Sequence, residues 1–357
     1  MKNLEKTYFG KFKVVAEYLK KLEKNTLEHV KQNKLDKQLD QHQAILGNVA
    51  DFFFQLKDSG LMTEENAENI ISRVNPIAHV TVLRPEYCEK NIYALCTGTS
   101  IEVNPNIPCD DKLLTSADKQ KLYTFHELGH AIIQSEKDYN LDNEMLNINN
   151  VFLVKHRSEP VIKKEDDTKE NYAHLGHNVL NEWFAQEVAE KLTYKSIGKK
   201  RPAAQKQWDG LCEEDENGKM VKAKDGKELV FDSNFDYYGL FQPLSIAFAK
   251  ATKSVGVNPG DTDEKVSDKL LEKVLRNGLR GFMILTADEY DQQDKGKDFA
   301  EIMSGFGSAY VAKYQSFLLY EELPSERPIA LSMYDLSLSK LNQLAQQNCE
   351  TVQESSQ

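Results

Sequence analysis

The sequence predicts an α+β protein, and three observations carry that reading. Both ends of the 357-residue chain hold apolar residues at helical period. Between them, residues 77–104 contain three short runs rich in β-branched and aromatic residues, as strands are. After those runs comes LYTFHELGHAII, 122–133, patterned as one amphipathic helix. The expected architecture is a small, mostly antiparallel sheet packed on that helix, with largely helical N-terminal and C-terminal parts.

In chain order, residues 1–75 read as an N-terminal helical region. Tyr8, Phe12, Val15 and Tyr18 form one apolar stripe, and Leu39, Ile45, Leu46, Val49, Phe52 and Phe53 another. Gly60 and Asn75-Pro76 punctuate the helix ends. With lysines and glutamates on the other faces, this region reads as a cap that carries none of the chemistry. Residues 76–197 form the expected core. Its strands are IAHVTVL (77–83), IYALC (92–96), SIEVN (100–104) and NVFLV (150–154). His79 reads as a half-exposed strand residue without a partner. Thr115 or Ser116 caps the helix that follows, and Asp118 suits its first turn. A charged loop, 155–171, leads to a helix from about Ala173 through NEWFAQE. Residues 198–236 form an insert, with a hairpin signal at Asp225-Gly226. Residues 237–347 read as a helical subdomain, broken by loops at VNPGDTDE and TADEYDQQDKGKD. Residues 348–357 are a polar tail.

Composition excludes several classes. The formal net charge is −11 and no basic patch stands out, which argues against nucleic acid as a partner. Five cysteines, Cys88, Cys96, Cys109, Cys212 and Cys349, include no C-x-x-C pair, so neither a disulfide framework nor a cysteine zinc site is expected. The N-terminal residues lack the apolar core of a secretory signal, and no apolar run approaches the roughly 18 residues of a membrane span. The expected location is the cytoplasm, or outside the cell by export without a cleaved N-terminal signal.

His126, Glu127 and His130 read H-E-x-x-H. On a helix, two histidines four residues apart share one face and can bind a single metal ion. Zinc favours such nitrogen donors. Glu127, beside the first histidine, is placed to act as general base on a metal-held water. Leu122, Phe125, Gly129 and Ile132 face the core. Gly129 costs about 1 kcal/mol of helix propensity against alanine. It would let a neighbouring strand or a substrate backbone come close.

A catalytic zinc keeps three protein ligands and one open position. The metzincin solution, in which the chain turns at a glycine and returns a histidine, fails here because Ile133 and Glu136 occupy those positions. A glutamate on a second helix is the other route, and NEWFAQE offers Glu182. His174 and His177 are rivals as ligands. His174, eight residues before Glu182, shares its helix face and is also a candidate to stabilise an oxyanion.

The pair HELGH and NEWFAQE resembles the gluzincins, the thermolysin-like zinc peptidases, over residues 95–250. The resemblance implies a zincin-like fold and Glu182 as the third zinc ligand, flanked by Asn181. It puts Gln186 where the family has an acidic residue bonded to the first histidine, with Glu187 as a substitute. The family also polarises the scissile carbonyl with a tyrosine or histidine. Tyr237 is a candidate for that role, although neither Tyr237 nor Tyr238 lies in a matching motif and packing is the first reading of both. A second resemblance, to regulatory peptidases of the ImmA/IrrE type, rests on HELGH and Phe184-Ala185. Together these imply a zinc metalloendopeptidase acting on a protein or peptide. The alternatives are a zinc hydrolase of a non-peptide amide and a catalytically inactive zincin-like binding protein.

Overall fold

The computed structural model describes residues 11–88, 92–108, 113–133, 169–201, 237–292 and 339–347; of residues 169–179, 237–240, 280, 283–284, 287–288 and 290–292 it describes the backbone alone. Apolar residues three and four apart bury one face of each N-terminal helix. Helix α1, Lys13–Gln32, buries Val15, Tyr18, Leu19, Leu22 and Val30. Helix α2, Leu39–Asp58, buries Ile45, Leu46, Val49, Phe52, Phe53 and Leu56. It ends just before Gly60, whose φ of 72° suits a chain leaving a helix. Helix α3, Ala67–Val74, buries Ile70, Ile71 and Val74 and stops at Asn75.

The three runs before residue 105 form strands β1, His79–Val82, β2, Ala94–Cys96, and β3, Ser100–Val103. The sheet is mixed rather than mostly antiparallel. β3 lies between the other two, parallel to β1 and antiparallel to β2. Periodicity finds strands but not their order. The turn at Gly98 (φ 83°) folds β3 back against β2, and β3 then meets β1 in the same direction. Val80, Ile101 and Val103 are fully buried on one face. On the other face, His79 and Thr81 register with Ser100 and Glu102. The β1 edge is closed by α1, where the Thr26 hydroxyl accepts from the Val80 N–H at 3.1 Å.

Helix α4, Ser116–Ile133, starts at a reciprocal cap. Thr115 N–H donates to Asp118 Oδ2 (3.0 Å) and Asp118 N–H donates to Thr115 Oγ1 (3.2 Å), satisfying two otherwise orphaned groups. Phe125, Leu128, Ile132 and Ile133 are fully buried, whereas Leu122 is only half-buried. Phe125 meets Phe52 edge-on at 5.2 Å between ring centres. Lys121 pairs with Asp51 at 2.8 Å and donates to Ser196 Oγ at 2.8 Å, while Ser196 donates to Asp51 at 2.6 Å. Burial alone would raise the Asp51 carboxyl, but hydrogen bonds from Lys121, Ser196 and Gln55 outweigh it and hold the group below its ordinary value. The N-terminal helices therefore form the wall against which α4 packs, which is more than a cap.

The chain divides into two compact units. The first comprises Met1–Asp138, Phe184–Pro202 and Val274–Leu279. It holds α1–α4, the sheet and the C-terminal part of helix α5, Lys169–Ser196. The second comprises Tyr139–Trp183, Ala203–Lys273 and Arg280–Gln357. It holds helix α6, Tyr237–Ala251, and most of helix α7, Asp263–Gln292. In it Phe248 meets Phe282 edge-on, and Glu289 accepts the backbone N–H groups of Lys253 and Ser254. Helix α7 runs on through TADEYDQ, expected as a loop. Residues 339–347 form a last helix with Leu341 and Leu344 buried. The expected strand at 150–154, the hairpin within 198–236 and the helical stretch from 298 lie outside the described residues.

His79 has a partner after all: its ring stacks on His29, with centres 4.1 Å apart and planes 21° from parallel. The nearby His42 is fully buried. Its Nδ1 donates to Gln38 O at 2.8 Å, leaving Nε2 to accept from Thr81 Oγ1 at 3.2 Å in the neutral ring. Burial, then His42, lowers the pKa of His29, against a raising effect of Glu102; burial, His29 and His42 lower that of His79. A depressed histidine stabilises the fold fully above its unfolded value and loses that contribution as pH falls through the folded one. Stability should therefore drop as pH falls below about 6.5. Urea midpoints at pH 7.5 and 5.5 test this, and a His29→Gln/His79→Gln variant should show a flatter pH dependence than the wild type.

Candidate metal centre

His126 and His130 lie one turn apart on α4, and their Nε2 atoms face each other at 3.0 Å. The rings are edge-on, with centres 4.6 Å apart and planes at 85°. Two histidine nitrogens bound tetrahedrally to one ion at about 2.0–2.1 Å would sit about 3.3 Å apart, close to the spacing observed. Glu182 completes the group. One ligand atom from each of His126, His130 and Glu182 lies within 4.8 Å of the other two, and all three residues are half-buried. Two imidazole nitrogens and one carboxylate oxygen form a donor set that suits a divalent transition metal. The group can hold a metal ion.

What brings α5 to α4 is the absence of a side chain. A Cβ built on Gly129 would lie 2.8 Å from the Ala185 Cα and 2.9 Å from Val188 Cγ1. The sequence suggested that a strand or a substrate would use this space. It is filled by the backbone of the helix that carries Glu182. Val188 packs at the same contact, and Trp183, Phe184 and Ala185 are buried on the same helix. Glu182 follows because it lies less than one turn before Ala185 on the same continuous helix.

The remaining sequence candidates divide into those with a described environment and those without. Asn181, half-buried, flanks Glu182. Gln186 Nε2 donates to Glu190 Oε1 at 2.6 Å, so its hydrogen bond runs along α5 and not to a histidine. Arg201 donates to both oxygens of the buried Glu187, at 2.9 and 2.7 Å, and to Glu190 at 2.9 Å. Glu127 is half-buried on α4. His174 and His177 lie on the backbone of α5, and Tyr237 opens α6, but their side chains are outside the described residues, as is Glu136.

Sequence reasoning missed Cys96. Burial pushes its thiol up to about 11, a backbone hydrogen bond from Gly98 opposes that, and the Glu127 charge adds to it. The thiol is thus kept neutral on β2 in the electrostatic reach of Glu127. Nothing in its spacing signalled this, because strand order decides it. Neither Cys88 nor Cys96 is in a disulfide. No helix among the described residues is long and apolar enough to cross a membrane. No family model, curated protein or solved structure matches the chain.

The close approach yields a direct test. Gly129→Ala improves helix propensity by about 1 kcal/mol, yet overpacking against a helix backbone costs roughly 1–3 kcal/mol. The variant should lose stability in urea unfolding and bind metal more weakly than the wild type. Unchanged stability and affinity would show that this contact does not set the spacing of the donors.

Proposed function

We propose that the chain is a zinc-dependent metallopeptidase that hydrolyses a peptide bond in a protein or peptide. The observation that carries this reading is the convergence of His126, His130 and Glu182, with Glu127 one residue from the first histidine. Three protein donors leave the fourth position of a tetrahedral ion open, the pattern of catalytic sites; a purely structural site closes with four. Among the described residues the group has those three members. Three such donors with Glu127 beside them fit a hydrolase.

His126, His130 and Glu182 would hold the ion. Zinc so held supplies Lewis acidity toward a carbonyl oxygen and lowers the pKa of water. Glu127 is assigned as general base: its carboxylate takes a proton from the attacking water and passes it to the leaving amine. The H-E-x-x-H pattern and the resemblance of HELGH plus NEWFAQE to the gluzincins support the peptide bond as the target. The same constellation also serves amide hydrolysis, so a panel of peptides and small amides separates the two substrate classes.

Three outcomes are expected. The purified protein carries about one zinc per chain by elemental analysis. Glu182→Ala loses affinity by more than the roughly 10–100-fold typical of losing an outer partner, and Glu136→Ala does not. Retention of full metal content by Glu182→Ala would remove it from the ligand set. Separately, Glu127→Gln keeps metal and fold but loses roughly 10²–10⁴-fold in turnover. A Glu127→Gln enzyme cleaving at the wild-type rate would overturn the mechanism.

A further inference from the structure

We infer that Arg73 is a positioning residue for the metal centre, holding the turn of α4 that carries His130; this rests on the metal-site reading above. Arg73 belongs to the N-terminal helical region, which reads from sequence as carrying none of the chemistry. Its guanidinium donates from Nη1 to Ile132 O at 2.9 Å and to Leu275 O at 2.6 Å, and from Nη2 to Arg276 O at 3.1 Å. One planar cation thus binds carbonyls from two helices.

The carbonyls on α7 need a donor, and one carbonyl of α4 shares it. Ile132 lies beside Ile133, the last described residue of α4, and its carbonyl accepts from the guanidinium. Leu275 and Arg276 stand just before a break in α7. Gly278 has φ 71° and ψ 161°, a conformation essentially restricted to glycine, and it interrupts the helical ladder. The carbonyls before the break are therefore left as a helix C-terminus. A Cβ on Gly278 would sit 3.3 Å from Ile133 O and 3.5 Å from Arg73 Nε, so the break, the Ile132–Ile133 backbone and the guanidinium occupy one site.

The electrostatics follow. Carbonyl oxygens of α4 and α7 converge here, each with partial negative charge, and without a cation between them they repel. Arginine suits the place because its fork of donors reaches several carbonyls at once, which the point charge of lysine does not. His130 is in the same turn of α4, two residues before Ile132. Loosening that turn would let the His130 ring leave its place 3.0 Å from His126. The requirement acts through the α4 backbone, not by contact with a ligand.

The test uses the full-length protein with Arg73→Ala and Arg73→Lys. Hydrogen exchange is measured on the metal-free proteins, and Co²⁺ binding is followed by its visible absorption. Both variants should exchange faster across 129–133 and 274–279, with α1 unchanged. Both should bind Co²⁺ on the order of 10-fold more weakly, as for loss of an outer partner. Millimolar guanidinium should restore part of the affinity and the wild-type spectrum to Arg73→Ala but not to Arg73→Lys. Wild-type exchange and affinity in Arg73→Lys, or faster exchange spread evenly over the chain, would overturn the inference. If the wild-type protein binds no Co²⁺ or zinc, the metal reading fails. Local exchange then still decides whether Arg73 holds the turn.

Discussion

The contact between Gly129 and Ala185 is the constraint on which the candidate centre depends. Two histidines one turn apart set two donors by helix geometry alone. The third must come from another helix, and its distance is fixed by how closely the backbones pack. With hydrogen in place of a side chain on α4 and a methyl group on α5, the helices approach until a Cβ on residue 129 would meet the Ala185 Cα at 2.8 Å. Val188 packs against the same point, and Trp183, Phe184 and Ala185 of α5 are buried, which favours the close-packed arrangement. Glu182 is thereby carried toward the imidazoles.

The polar groups around this packing hold its two ends. At one end, Asp51 of α2, Lys121 of α4 and Ser196 of α5 share a closed set of hydrogen bonds. At the other, Arg73 of α3 donates to the Ile132 carbonyl of α4. Arg201 turns back onto Glu187 and Glu190 of α5 and satisfies carboxylates that packing has partly removed from water. A charge buried without such a partner would cost several kcal/mol. The N-terminal helices are therefore part of the scaffold of the site, even though they hold none of its donors.

Much of the fold was legible because it is written in period and in turn chemistry. The β-branched content of IAHVTVL and SIEVN named two strands, and Thr115 and Asp118 named the start of α4. The sheet order was not legible, since a third strand that inserts between two others leaves no periodic trace. The break in α7 was equally silent: Gly278 in a helical pattern reads as a tolerated cost until its backbone is seen at φ 71°. The continuation of α7 through TADEYDQ was hidden by polar composition, while Glu289 on it binds the backbone of Lys253 and Ser254.

By itself the sequence determined the pair His126 and His130, because four residues on a helix is a covalent spacing that no packing can alter. It also placed Glu127 beside them and marked Gly129 as a point of close approach. Only the tertiary structure decided what approaches Gly129, that Glu182 joins the histidines, that Gln186 turns to Glu190, and that Cys96 lies in the field of Glu127. Those four facts concern residues on different elements or rotamers chosen by neighbours. Their distances come from burial and backbone packing summed over the core, and no local pattern of residues encodes that sum.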